Sequence, residues 1–128
     1  MEKATFGARI LLGIIFTVFG LNGFVQFIPV PEAAPAMGEF MGALMATGYM
    51  MPWVKATEVI CGVLLLAGRF VPLALTILAP ITLNILAIHL FLDGPASLPI
   101  PIVLVVLSLL AAWGVKDAYS GLLRATPE

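Results

Sequence analysis

The sequence predicts an all-α integral membrane protein: a four-helix bundle forming one membrane domain, with a short interfacial or re-entrant helix between spans one and two. Three observations carry that prediction. Of 128 residues, 62% are apolar and only 10% are charged, against roughly a quarter charged in an ordinary globular domain. The mean hydropathy is +1.14, and six basic plus seven acidic side chains cannot cover a soluble fold of this size. The apolar residues also fall into four runs, each close to the roughly 20 residues that cross a bilayer core. This balance excludes a soluble globular domain, a disordered chain and a disulfide scaffold. A net charge of −1 leaves no electrostatic case for nucleic acid.

Span one is expected at about 10–28, after Glu2, Lys3 and Arg9. Its length exceeds the roughly 7–15-residue apolar core of a signal peptide, so it reads as a retained span. Span two, about 53–68, follows Pro52, whose missing N–H costs nothing at a helix start. Span three, about 70–92, carries Pro72 in its first turn and Pro80 in its interior, where a kink is expected. Span four, about 99–115, opens with Pro99 and Pro101 and stops at Lys116-Asp117.

The connector between spans one and two is too long for a tight turn and too apolar for a free loop. Met37, Met41 and Met45 repeat at helical spacing, with Gly38, Gly42 and Ala46 one step along. A short helix at about 36–50, lying at the membrane face, is expected there. Thioethers are soft ligands for Cu(I), but an adaptable apolar face is the simpler reading of the methionines. The small-residue stripe lets a neighbouring backbone come close. One Cys and one His leave no zinc spacing, so no metal site is expected. Cys61, alone in an apolar run, reads as a packed thiol.

Charge gives the orientation. Lys3, Arg9, Arg69, Lys116 and Arg124 all fall on one side of an even number of spans, while Glu32, Glu39 and Asp93 fall on the other. The positive-inside rule then puts both termini in the cytoplasm, in a cell inner membrane. Tyr49 and Trp53 would anchor the outer interface, and Trp113 and Tyr119 the inner one.

Polar groups inside a span are costly and ask for a partner or a role. Here they are Asn22 and Gln26, Lys55 and Glu58, Asn84 and His89, with Ser108 alone in span four. At 1.5 Å per residue, Asn22 falls about 9 Å, Glu58 about 8 Å, Asn84 about 12 Å and His89 about 5 Å below the outer ends of their spans. All but Ser108 share the outer half. Asn22/Gln26 and Lys55/Glu58 each share a helix face, whereas Asn84 and His89 cannot both point at one centre. Two readings stay open. The cluster is interhelical glue, each contact contributing about 0.6–2 kcal/mol. Alternatively it is a pocket open to the outer face, with Glu58 and His89 as the proton-handling candidates. Asn22, Gln26, Lys55 and Asn84 would then line a lipophilic ligand. Lys55 either pairs with Glu58 or reaches up to the headgroups.

Arg9-Ile10-Leu11-Leu12-Gly13 leading to Phe16 and Gly20, then Glu58, Gly62, Leu64-Leu65-Leu66 and Gly68-Arg69-Phe70, then His89 and a short charged tail, resemble the DoxX family of small four-span membrane proteins. Where members often carry a lysine after the span-one glycine, this chain reads Leu21-Asn22-Gly23-Phe24, and Lys55 is the candidate to stand in. The resemblance implies a four-helix membrane bundle and, for some members, a place in quinone-linked or thiol-related oxidoreductase complexes. With a single cysteine, direct thiol oxidation is not expected. The expected function is a small accessory or quinone-interacting subunit of a membrane oxidoreductase system. It would have no covalent cofactor and would bind a quinone or other isoprenoid lipid. The alternatives are a non-catalytic scaffold or assembly factor, packing on a membrane protein partner or a second copy, and a small-molecule or proton transporter.

Overall fold

The computed structural model describes residues 2–25, 27 and 34–126. Five α-helices run in chain order: α1 Glu2–Asn22, α2 Pro35–Ala46, α3 Met50–Ala67, α4 Val71–Ile88 and α5 Pro99–Trp113. A π-helical turn, His89–Asp93, prolongs α4, and no strand occurs among the described residues. α1, α3 and α4 with its π turn are long and apolar enough to cross a membrane. α5 has 15 residues, about 22 Å of helix against a hydrocarbon core of about 30 Å.

Packing closes four of these helices into a ring, in which α1 and α4 each lie against both α3 and α5. α2 packs on α3 and on the π turn, and none of its residues is buried. The core is a single cluster: Leu12 and Phe16 from α1, Cys61 and Leu65 from α3, Val71, Ala74, Leu75 and Leu78 from α4, Leu104 and Ala111 from α5. Outward faces are apolar as well, with Leu11, Phe19, Ile60, Leu83, Val103 and Leu109 all exposed. Helices apolar all round belong in a hydrocarbon solvent.

The α1–α3 seam is set by glycine. A Cβ on Gly13 would lie 3.0 Å from the Gly62 carbonyl, and one on Gly62 would lie 2.7 Å from the Thr17 backbone nitrogen. Small residues are what let two backbones approach this closely.

The reversal from α3 to α4 is a Schellman turn. Gly68 adopts φ +71, the N–H of Arg69 donates to the Leu64 carbonyl at 3.1 Å, and that of Gly68 donates to Leu65 at 3.3 Å. Phe70 is also left-handed, at φ 53, a conformation that a bulky side chain rarely adopts. Pro80 lies within α4, and the helix continues through it.

Arg9 completes that turn from α1. Its Nη1 donates to the Leu65 carbonyl at 2.5 Å, and its guanidinium stacks 5.0 Å from the Phe6 ring centre. A cation at a helix C-terminus also meets the negative end of the dipole. Arg9→Met is expected to cost about 1.5–3 kcal/mol, the range for a hydrogen bond from a charged group. Unfolding of the purified protein by graded denaturing detergent measures it, and a cost near zero would show that the bond is ornamental.

The same end gathers further elements. Gly114 packs on Thr5, and the Tyr119 hydroxyl donates to the Pro72 carbonyl at 2.7 Å. Lys116 lies 4.0 Å over the Trp113 ring. The N-terminus of α1, the α3–α4 turn and the tail after α5 thus share one end of the ring.

The helix limits differ from expectation at span one. α1 begins at Glu2 and ends at Asn22, where a helix to about residue 28 was expected. Asn-Gly is the cause: both residues favour turns over helix, and the chain bends through Gly23, Phe24 and Val25, whose N–H groups donate to the Gly20 and Leu21 carbonyls.

Candidate functional site

Lys55 and Glu58 lie toward the end of the ring opposite the basic cluster, beside the C-terminal end of α1. Glu58 is 4% exposed on the inward face of α3, in line with Cys61, Gly62 and Leu65. One turn earlier, the Lys55 Nζ lies 3.6 Å from the Glu58 Oε1. Of the two courses open to Lys55, the structure shows the pairing with Glu58. α1 permits this by having glycines opposite. A Cβ on Gly23 would collide with the Lys55 stem, and one on Gly20 would sit 3.1 Å from the Lys55 carbonyl. The aliphatic stem lies across bare backbone and delivers its charge inward.

Asn22 is 7% exposed. It is the last residue of α1, so it stands at the helix end and not 9 Å inside a span. Its Oδ1 accepts the Phe27 N–H at 3.0 Å and shapes the chain leaving the helix. Gln26, expected on the same face, lies outside the described residues.

His89 is held within its own helix and does not join Glu58. Its Nδ1 lies 2.8 Å from the Ile85 carbonyl, and no ion pair joins it to Glu58 among the described residues. It opens the π turn, whose far end holds Asp93, and Asp93 Oδ1 accepts the Ala34 N–H at 3.0 Å. The turn thus fixes the start of α2. Asn84 is exposed beside Leu83, away from the inward face of α4. Of the six residues, the structure joins Lys55 with Glu58, sets Asn22 near them, and separates His89 and Asn84 from that pair.

Thr82, which sequence reasoning passed over, is a further buried polar residue, on α4. It is 3% exposed and continues the inward row Ala74, Leu75, Leu78. Its Oγ1 has no hydrogen-bond partner among the described residues. The helical phase of that apolar row was the signal that placed it inside.

Beside the pair, on the outer surface of α3 and α4, runs a groove of about 460 Å³ lined by Tyr49, Met50, Trp53, Val54, Thr57, Ile77 and Ile81. Its walls are apolar, because the one hydroxyl inside α3, that of Thr57, donates to the Trp53 carbonyl at 2.9 Å. Tyr49 and Trp53 meet edge to face at its outer end, with ring centres 6.4 Å apart. The groove is open along the helix surface and not an enclosed cavity. Among the described residues, no three His, Cys, Asp or Glu side chains gather to hold a metal ion. Compared with known proteins, the chain matches no family model, no curated protein and no solved structure.

Proposed function

We propose that the chain is a DoxX-like four-span membrane bundle of the cell inner membrane, with both termini cytoplasmic. In this reading it acts as a small accessory subunit that binds a quinone or another isoprenoid lipid beside a membrane oxidoreductase. The carrying observation is the adjacency of the open apolar groove, bordered by Tyr49 and Trp53, to the Lys55–Glu58 pair, whose buried Glu58 follows Thr57 directly. A lipophilic ring fits the groove, and the charged pair lies directly behind its wall. The basic end formed by Arg9, Arg69 and Lys116 supports the orientation. α5 is short for a span, and its packing between α1 and α4 supports counting it as the fourth.

Mass spectrometry of organic extracts from gently purified protein tests this. An isoprenoid should be enriched in the wild type and fall several-fold in Ile81→Trp, which fills the groove, and in Glu58→Ala. Equal lipid content in all three samples would sink the reading.

A second reading, a scaffold for a partner protein, is favoured by α2. Among the described residues nothing lies within 4 Å of a Cβ on Gly38 or Gly42, so that stripe is left for a partner. Gly42→Leu should then abolish function while leaving lipid content and fold unchanged.

A further inference from the structure

We propose that Glu58 and Thr82 together form an internal site that binds a hydroxyl group, supplied by a trapped water or by the head of a lipid in the adjoining groove. The register of α3 and α4 carries the inference. Glu58 lies ten residues before Gly68 and Thr82 eleven after Val71, so both stand about 15–17 Å from the shared turn. The groove confirms the register, since Thr57 and Ile81, the residues just before them, line it together. Both side chains turn inward, 4% and 3% exposed.

Lys55 meets one oxygen of Glu58 from one turn earlier on α3, and the rest of that layer offers the pair little. Gly20 fills the α1 side against Val59 and the Lys55 carbonyl, and Asn22 Oδ1 is committed to Phe27. On α5, Pro101 is fully buried. Thirteen residues back from Gly114, which meets Thr5, it stands near the height of Val18–Gly20. Neither glycine nor proline brings a side-chain donor or acceptor.

The chemistry then selects the occupant. A carboxylate only accepts hydrogen bonds, while a threonine hydroxyl both donates and accepts. A group bridging them must donate to Glu58 and can either accept from or donate to Thr82, and water or an alcohol does both with a single oxygen. A buried hydroxyl left unmatched is costly, and buried waters characteristically settle on such groups when two or more polar partners converge. The water form stands without the lipid reading of the groove. The lipid-hydroxyl form rests on it.

A high-resolution crystal structure of the full chain, with Tm values for Thr82→Val and Thr82→Ser, tests the site. An oxygen within hydrogen-bond distance of both Thr82 Oγ1 and the Glu58 carboxylate is expected. An isolated peak identifies water, and density continuous with a chain in the groove identifies a lipid. Thr82→Val should lower Tm by several degrees and Thr82→Ser should leave it near wild type. If the hydroxyl instead bonds the Leu78 carbonyl with no shared oxygen density, or if Thr82→Val is as stable as wild type, the proposal is overturned. Should the valine variant not fold, the wild-type density decides alone.

Discussion

Gly62→Val is expected to abolish the folded bundle. A Cβ at this position would stand 2.5 Å from the Thr17 hydroxyl, 2.7 Å from the Thr17 backbone nitrogen and 3.0 Å from the Gly13 carbonyl. Two of these three atoms are helix backbone, so no side chain can turn aside. The seam must open along its length, and α1 loses its fit to α3 at Gly13 and Gly20 together. Overpacking typically costs about 1–3 kcal/mol where neighbours can shift. Here they cannot, so Gly62→Ala is expected at the upper end of that range and the branched valine beyond it. A substitution at Gly38 makes the matched control, because a Cβ there meets nothing within 4 Å. Size-exclusion profiles of detergent-solubilised variants separate the two. Gly38→Val should elute as wild type, and Gly62→Val should aggregate or fail to accumulate. A well-folded Gly62→Val would mean that α1 and α3 do not cross as described.

The contrast between those two glycines shows what sequence can and cannot give. Helical spacing located α2 and its stripe, but periodicity marks a face without saying whether anything lies against it. The tight seam is instead made by Gly13, Gly20 and Gly62, on two helices whose relative rotation no single run of sequence encodes. Composition and run length made the helices readable because a lipid-facing helix must be apolar all round. The same uniformity hides which face is inward, and Thr82 slipped past for that reason. It is mildly polar in an apolar run, and only the buried row of Ala74, Leu75 and Leu78 shows that it faces inward.

Depth was readable only where helix ends were. α3 starts at Met50, three residues before the expected 53, so Lys55 and Glu58 stand about 4.5 Å further along their helix than the sequence count placed them. Asn22 moved from inside a span to its end, because Asn22-Gly23 stops α1 early. His89 illustrates a different limit. It shares the outer half with Glu58 on a count of residues, yet it lies seven positions, about 10 Å, beyond Thr82 along α4. Its ring is occupied by the Ile85 carbonyl.

Lys55→Met is expected to destabilise the protein by about 3–5 kcal/mol, the cost of leaving one member of a buried ion pair without its partner. Glu58→Gln should cost distinctly less. The asymmetry follows from position: the Glu58 side chain is 5% exposed and the Lys55 side chain 22%. A lysine without its carboxylate can swing its flexible stem toward the outer surface. A carboxylate without its lysine stays where α3 holds it. The double variant Lys55→Met/Glu58→Met should recover much of the loss, because buried pairs replaced by apolar side chains of similar volume are often neutral in stability. Unfolding of the three variants closes a double-mutant cycle, and simple additivity would show that the pair is not coupled. The double variant also separates the two roles open to this cluster. If Lys55 and Glu58 only hold α3 against α1, an apolar pair of similar size restores stability and leaves the bound lipid unchanged. If they serve the ligand in the groove, stability returns while the isoprenoid content stays low.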